Sequence, residues 1–232
     1  MKKGNDMMHY YSEKEIRDII ASVVSESLQG AKCAAQSNNS CEANKLPVPV
    51  EVSARHVHLT QEAVECLFGK GHKLTKKRDL SQPGEFLAEE RVKIVTNKGE
   101  FANVAVLGPA RPAVQVELSM TDCKTLGIKA PVNLSGDLNG AADVVLFSAG
   151  GVYKADHSAI VAKAHIHMTP KDAKNYGVHD GQKVRVHLDS PRPITIDDVI
   201  IRIKDSFALA MHIDFDEANA AAVSGNVTGY LE

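Results

Sequence analysis

Apolar residues recur at helical spacing near the start of the chain. Ser12-Glu13-Lys14-Glu15 has the pattern of a capping box, in which Ser12 caps the helix and Glu15 reaches back to it. The apolar stripe that follows consists of Ile16, Ile19, Ile20, Val23, Val24 and Leu28. Gly30 ends this pattern, so we predict an amphipathic helix within residues 1–30.

Residues 31–45 have no hydrophobic period and are rich in small and polar side chains, which is typical of a flexible linker. The helix before such a linker has two possible roles. Either it docks on its own domain, or it places its stripe in a groove of another protein and drives assembly. We favour the second role, because a helix on a flexible tether does not reliably bury its stripe against its own chain.

From Leu46 onward the hydrophobic pattern changes to short runs of aliphatic and β-branched residues, separated by Gly, Pro, Asn and Asp. Two short helices are predicted to start at Thr60 and Thr169, the second with Pro170 at its first position. The predicted strands cover residues 48–52, 92–96, 101–107, 114–118, 144–147, 184–188, 199–203 and 207–213. Many short strands favour barrels or sandwiches over a doubly wound sheet.

Composition excludes several classes of protein. The chain has 232 residues, enough for one large or two small domains, and 27 basic residues balance 29 acidic ones. This balance argues against nucleic acid or an anionic membrane as the partner. No apolar run approaches the length of a membrane span, and no signal-peptide pattern precedes the domain, so we predict a cytoplasmic protein. None of the four cysteines lies beside a histidine, and we assign them no catalytic role.

The chain uses one phrase twice, as ARHVHLT at residues 54–60 and KAHIHMTP at residues 163–170. Coincidence, a structural repeat and two halves of one metal site are the three possible explanations. Both copies contain a threonine cap and lead into a short predicted helix and then a glycine turn. Later strands lead into Glu117 in one half and His212 in the other. The spacings from each phrase to its third residue are unequal, so any internal duplication behind the repeat has diverged.

The repeated phrase also has the chemistry of a metal site. Residues i and i+2 of a strand point to the same face, so both imidazoles of each phrase converge on one point. Three ligands leave a coordination position open, as a catalytic zinc ion requires. Two metal ions close together also act as a clamp in a displacement reaction. The predicted ligand sets are His56, His58 and Glu117 for one site and His165, His167 and His212 for the other.

Arg111 lies in a turn shortly before Glu117. An arginine beside two cations is unfavourable unless an anion lies between them, so Arg111 is a candidate clamp for phosphate or carboxylate. The alternative is a solvated turn residue. The turn NLSGD at residues 133–137 contains Ser135, whose hydroxyl is a second candidate ligand for the anion.

Five motifs together resemble the PduL-type phosphate propanoyltransferases (phosphotransacylases) of bacterial microcompartments. They are VSARHVHLT, GPARPAVQVELS, NLSGD, AKAHIHMTP and AMHIDFDEAN, in this order between residues 46 and 232. The resemblance implies a mainly β chain with two small β-barrel domains capped by short helices. One domain would combine residues 46–54 with 163–232, and the other would be 55–162. Residues 1–30 and 31–45 resemble the family's encapsulation peptide and its linker.

The resemblance also implies a site and a reaction. It places two zinc ions on the six residues of the predicted ligand sets and phosphate at Arg111. Coenzyme A (CoA) contacts would involve Val52, Ser53, Ala54, Leu107 and Asn219. Phosphate would attack the thioester of a short-chain acyl-CoA, such as propanoyl-CoA, directly and without an acyl-enzyme. The implied setting is the lumen of a microcompartment for propanediol degradation, with shell or core proteins bound through the N-terminal helix, and we also expect a homo-oligomer.

Two other functions remain open from the sequence. A zinc hydrolase is one, because an early His-x-His is typical of amidohydrolase barrels, although these larger barrels alternate strands with helices. A metal-stabilised, non-catalytic scaffold of a microcompartment is the other. Structural zinc sites are usually closed by four ligands, whereas each half of this chain offers three.

Overall fold

The computed structural model describes residues 12–14, 17 and 46–232. The chain divides into a unit of residues 1–44 and a unit of residues 45–232. The predicted helix of residues 1–30 and the predicted linker of residues 31–45 lie outside the described residues, apart from 12–14 and 17. Within the first unit Glu13, Lys14 and Arg17 are helical, and the Arg17 guanidinium donates a 2.8 Å hydrogen bond to the Glu13 carboxylate.

The second unit is built mainly from strands. They are β1 Pro47–Ser53, β2 His56–His58, β3 Lys76–Asp79, β4 Phe86–Val95, β5 Glu100–Gly108, β6 Gln115–Leu118, β7 Val132–Asn133, β8 Ala142–Phe147, β9 Val152–Ala162, β10 His165–Met168, β11 Lys183–Asp189, β12 Ile194–Ile203, β13 Ala210–Asp214 and β14 Val227–Leu231.

Four short helices of this unit each begin directly after a strand. They are α1 Gln61–Phe68, α2 Met120–Leu126, α3 Pro170–Tyr176 and α4 Phe215–Ala220, and they follow β2, β6, β10 and β13. Thr60, Ser119, Thr169 and Asp214 cap them by accepting hydrogen bonds from backbone N–H groups of the first turn. The sequence predicted α1 and α3. It missed α2 and α4, although Ser119 with Asp122 and Asp214 with Glu217 form capping boxes.

Six strands of the second unit form a closed barrel, the C-terminal barrel, in the order β1-β13-β10-β12-β11-β14. The ring closes because β1 pairs with β13 on one side and with β14 on the other. Its interior is filled by aliphatic side chains from alternating strand positions. The most enclosed of them include Ile166, Val186, Leu188, Ile201 and Met211, each with no more than a trace of exposed surface.

A second ring of six strands, the central barrel, runs β4-β5-β2-β6-β9-β8 and closes where β8 pairs with β4. Strands β3 and β7 extend it by pairing with β4 and β9. Its separate core includes Val57, Leu59, Ile94, Val116 and Leu146, all fully buried. The predicted fold class, a mainly β chain with two small barrels and short helices, is confirmed.

The two barrels have the same strand order and the same strand directions. Each His-x-His strand has a parallel neighbour on one side, β5 or β12, and an antiparallel neighbour on the other, β6 or β13. The strand before each His-x-His strand is exchanged, so β1 lies in the C-terminal barrel and β9 in the central barrel. A duplicated unit would leave this correspondence, but the duplication itself stays a prediction, as do the domain boundaries at residues 54/55 and 162/163.

Some strand predictions were incomplete. β3, β7, β9 and β14 were missed, β9 because Lys154, Asp156 and His157 interrupt its apolar pattern. The predicted strand of residues 207–213 starts too early, since β13 begins at Ala210. The backbone N–H and C=O of Ala208 are hydrogen-bonded to the Gln82 side chain instead of a neighbouring strand.

Candidate active site

The first candidate metal cluster lies where β2 and β6 pair. His56 is directly opposite Glu117 in the antiparallel register, and His58 lies two residues along on the same face. The Nε2 atoms of His56 and His58 are 3.5 and 3.9 Å from the two carboxylate oxygens of Glu117. All three side chains are buried, with 2–7% of their surface exposed.

The second cluster has the same construction in the C-terminal barrel. His165 is opposite His212 in the antiparallel pair of β10 and β13, as His56 is opposite Glu117. The ring centres of His165, His167 and His212 are 4.8–5.2 Å apart. In each cluster the three possible ligand atoms lie within 4.8 Å of one another, a spacing suited to one shared metal ion.

Hydrogen bonds orient the first histidine of each cluster in the same way. Nδ1 of His56 is 2.8 Å from the carbonyl oxygen of Ala54, and Nδ1 of His165 is 2.8 Å from that of Lys163. A proton on Nδ1 leaves Nε2 as the free ligand atom of both rings. Backbone carbonyls commonly orient zinc-binding histidines in this way.

Several buried nitrogen atoms of the clusters have no hydrogen-bond partner among the described residues. They are Nδ1 of His58, both ring nitrogens of His167 and Nε2 of His212. An unsatisfied buried polar atom costs about 1–3 kcal/mol, and a metal ion bound in the second cluster would satisfy one ring nitrogen of His167 and Nε2 of His212. Two imidazoles with a carboxylate, or three imidazoles, are donor sets that suit zinc. The residues therefore fit the group that the sequence predicts.

The protonation states also suit metal binding. Burial lowers the pKa of His165 to about 4, of His167 to about 2 and of His212 to about 4, so their imidazoles are neutral near pH 7. Burial also lowers the pKa of His58 well below its usual value. Burial raises the pKa of Glu117, but His56, His58 and the Ser135 hydroxyl together outweigh it and hold that pKa well below its usual range. His56 is the exception, because the lowering effect of burial is outweighed by Glu117, which raises the pKa of His56, and a metal ion bound here would displace that proton. Neutral imidazoles and an ionised carboxylate are the forms that bind metal ions.

Arg111 faces the first cluster through a short polar network. Its guanidinium donates to the Glu85 carboxylate at 2.7 Å and to the Ser135 hydroxyl at 3.4 Å. The Gln115 amide links this network to the metal cluster, because it donates to Glu117 at 2.5 Å and to Ser135 at 2.9 Å. Gln115 also accepts a hydrogen bond from the backbone N–H of Gly136, which holds the predicted NLSGD turn against the site.

One cavity of about 670 Å³ joins both clusters and Arg111. Four of the five predicted CoA-contact residues, Val52, Ser53, Ala54 and Leu107, line this cavity together with Ser135. Asn219 does not line it and lies exposed on α4. The structure thus brings together all the predicted metal and phosphate residues and most of the predicted CoA contacts.

A loop of residues 80–85 connects the cavity walls of the two barrels. Its Gln82 is buried and makes two hydrogen bonds with the backbone of Ala208 in the C-terminal barrel. Ser81 donates to Glu51 at 2.6 Å, and Glu85 holds Arg111. Sequence reasoning did not select Gln82, Glu85 or Gln115, because only tertiary pairing reveals their role.

A paired-barrel fold with two three-ligand clusters around one basic cavity defines a class of candidate metal-dependent enzymes. Comparisons with known proteins specify the family. The family model for phosphate propanoyltransferase matches residues 49–224. The chain belongs to this family, whose members are acyltransferases, and both the resemblance and the predicted enzyme class are confirmed.

Relatives carrying the name phosphate propanoyltransferase align over most of the chain. The Leptotrichia buccalis protein is 53% identical over 183 residues, which cover 79% of this chain and 87% of that protein. The Clostridioides difficile protein is 51% identical over 177 residues, covering 76% and 85%. The Priestia megaterium protein is 48% identical over 221 residues, covering 95% and 96%. Among the described residues, no helix is long and apolar enough to cross a membrane.

Proposed function

We propose that this chain transfers a short acyl group, such as propanoyl, between CoA and inorganic phosphate at a site with two zinc ions. The observation that carries the proposal is that one cavity is lined by both three-ligand clusters and by Arg111. The family name of the relatives supports the acyl-transfer reaction. The pairing of a basic cavity with metal ligands supports a phosphate substrate.

His56, His58 and Glu117 would hold one zinc ion, and His165, His167 and His212 the other. When bound, the zinc ions supply Lewis-acid stabilisation of negative charge on oxygen and sulfur. The third ligands differ, so the first site carries a formal negative charge from Glu117 and the second site carries none.

Arg111 would bind the phosphate. Its contacts with Glu85 and Ser135 use two of the five N–H donors of a guanidinium, so further donors are available to an anion. The network of Gln115 and Ser135 fixes Glu117 and the Arg111 side chain relative to each other. Holding phosphate beside the thioester would provide the proximity that an otherwise bimolecular step lacks.

The reaction would proceed by direct transfer. A phosphate oxygen forms the new bond to the thioester carbonyl carbon, the carbon–sulfur bond breaks, and CoA leaves with the bonding electron pair. Neither of the described cysteines, Cys66 and Cys123, lines the cavity, and burial raises the pKa of Cys123 to about 11. We therefore expect no acylated cysteine during turnover.

CoA would enter along the end of β1. Val52, Ser53 and Ala54 line the cavity beside the first cluster, and Leu107 lies opposite His58 on β5. Backbone groups at these positions are the proposed contacts. Asn219 is proposed to contact a part of CoA that extends beyond the cavity.

Substitutions of Arg111 and His165 test the site. Arg111→Ala should retain both metal ions and lose saturation by phosphate, and Arg111→Lys should recover part of it. His165→Ala should lower the metal content and the rate together. Unchanged phosphate saturation in Arg111→Ala would overturn the assigned role.

A thiol-release assay with acyl-CoA separates the three functions. Release that requires phosphate supports the transferase, release without phosphate indicates a hydrolase, and no release with metal bound indicates a scaffold. Acetyl-, propanoyl- and butanoyl-CoA compared in the same assay give the acyl preference.

The setting of the enzyme is a further part of the proposal. Residues 1–30 would bind shell or core proteins and direct a homo-oligomer into the lumen of a microcompartment for propanediol degradation. Deleting residues 1–30 should leave turnover unchanged and abolish encapsulation. Encapsulation of the shortened chain would contradict the targeting role.

A further inference from the structure

Arg202 lies on the wall of the cavity in the C-terminal barrel. It is opposite His167 in the parallel pair of β10 and β12, so the two side chains leave the sheet on the same side. Phe207 stacks on the His167 ring with 3.9 Å between ring centres, and the Arg202 guanidinium carbon is 6.0 Å from the centre of the Phe207 ring. Arg202 is therefore part of the surface that surrounds the second cluster.

Arg202 differs from the other partly buried arginines of the cavity in having no acidic or carbonyl partner. Arg55 pairs with Asp122 at 2.7 Å, and Arg111 pairs with Glu85 at the same distance. Arg91 donates to the backbone carbonyl oxygens of Ala88 and Glu90. In the described part of the chain, no carboxylate oxygen lies within 4 Å of the Arg202 guanidinium and no group accepts a hydrogen bond from it.

A partly buried guanidinium that makes no hydrogen bond within the protein is unfavourable, because it has lost part of its hydration and gained only a cation–π contact with Phe207. Burial lowers the pKa of Arg202, with the charge of Glu117 opposing this effect and that of Arg111 adding to it. An arginine remains protonated under all ordinary conditions, so the positive charge persists in the cavity. An anionic ligand would satisfy it.

The position equivalent to Arg202 in the central barrel is occupied by leucine, so formation of the barrel does not require an arginine at this position. Leu107 is opposite His58 in the pair of β2 and β5, as Arg202 is opposite His167. Lys204 follows two residues later and also lines the cavity, with its ammonium nitrogen 5.3 Å from the centre of the Phe207 ring. The C-terminal barrel thus presents two cations where the central barrel presents an apolar side chain.

We infer that Arg202 is a second phosphate-binding residue of the cavity, acting from the C-terminal barrel while Arg111 acts from the central barrel. This inference rests on the proposed function and extends it. The chemistry that Arg202 recognises is a phosphate oxyanion, which is either inorganic phosphate or a phosphate group of CoA. A guanidinium matches two oxygens of such a group at once, which an ammonium group does not.

The test compares Arg202→Gln with Arg202→Lys in the full chain loaded with zinc. The first readout is binding of inorganic phosphate by calorimetry, with and without metal, and the second is the pair of KM values for phosphate and acyl-CoA. Arg202→Gln should weaken one ligand about tenfold to hundredfold, the range expected for a charge-assisted hydrogen bond. Arg202→Lys should recover part of the loss. Arg185→Gln is the matched control, because Arg185 is exposed outside the cavity and pairs with Asp197.

The two sources of phosphate give different results. Weaker binding of inorganic phosphate with an unchanged KM for acyl-CoA assigns Arg202 to the attacking phosphate. If Arg202→Gln raises the KM for acyl-CoA but not the KM for the dephospho-CoA thioester, Arg202 binds the 3′-phosphate of CoA. Unchanged values for both ligands with full metal content would overturn the inference. Loss of metal in both variants would also overturn it, since Arg202 would then act by supporting His167.

Failure of the inference is distinguishable from failure of the proposed function. If the unsubstituted chain releases no thiol in a phosphate-dependent manner, the proposed function fails. In that case the calorimetric comparison still reports whether Arg202 holds phosphate. If the unsubstituted chain is active and Arg202→Gln matches it in both assays, only the inference fails.

Discussion

Gln82 provides the sharpest test of how the two barrels depend on each other. It belongs to the loop between β3 and β4 of the central barrel, and only 5% of its surface is exposed. Its amide donates to the Ala208 carbonyl oxygen at 3.0 Å and accepts from the Ala208 N–H at 3.2 Å. Gln82→Ala removes both bonds and leaves two backbone groups of the C-terminal barrel without partners.

The expected loss of stability follows from these two bonds. Each intramolecular hydrogen bond contributes about 0.5–1.5 kcal/mol, so the pair accounts for about 1–3 kcal/mol. With a urea m-value of about 2 kcal/mol per molar, the unfolding midpoint should fall by about 0.5–1.5 M. Gln82→Glu should be at least as harmful at pH 8, because it places a carboxylate oxygen against the Ala208 carbonyl oxygen.

Urea unfolding followed by circular dichroism measures this midpoint. Gln61→Ala is the matched control, because Gln61 is exposed and donates only within the central barrel, to the Glu65 carboxylate and the His72 carbonyl oxygen. We also expect Gln82→Ala to broaden the transition or to separate it into two, since the link between the barrels is weakened. A midpoint within 0.2 M of the unsubstituted chain (roughly 0.4 kcal/mol), with an unchanged slope, would refute the argument that this amide couples the barrels.

Two further predictions concern helix caps in the C-terminal barrel. Burial raises the pKa of the Glu217 carboxyl to about 7 from 4.5. The protonated carboxyl therefore contributes fully to the free energy of unfolding below pH 4.5, and this contribution is lost as the pH rises through 7. Glu217→Gln keeps the capping-box acceptor for Asp214, so we expect a gain of about 1 kcal/mol at pH 8 after solvent screening and little change at pH 5, measured by urea unfolding at both values. Thr169→Ala removes the hydroxyl that accepts from the Asp172 N–H and should cost about 1 kcal/mol, whereas Thr169→Ser should restore most of it; equal thermal midpoints for all three chains would contradict this.

The predictable parts of the site were those set by local geometry. Alternation along a strand was enough to place the two histidines of each phrase on one face, and the structure shows His56 with His58 and His165 with His167 in that arrangement. Their third partners, Glu117 and His212, lie two residues before a helix cap in both halves. This shared distance of two residues is a local sequence pattern that identifies the third ligand in each half of the repeat.

The rest of the site depends on pairings between distant segments. Arg202 lies opposite His167 because of the register between two strands, and Gln82 is placed by its hydrogen bonds with Ala208. No periodic pattern in the sequence predicts either pairing. The exchange of β1 and β9 between the barrels likewise follows from strand pairing and not from the order of elements. The barrel class was accessible from the turn-rich strand pattern, whereas these tertiary relationships required the structure.

The exchanged position of β1 has a consequence for synthesis of the chain on the ribosome. Val50 of β1 pairs with Met211, about 160 residues later, so β1 waits on the order of ten seconds for its partners. An unpaired strand edge is a hazard during that interval. Pro47 and Pro49 lie in the half of β1 that pairs with β14. Because proline has no N–H to donate, the waiting strand offers two fewer backbone donors to an incorrect partner before the C-terminal barrel closes.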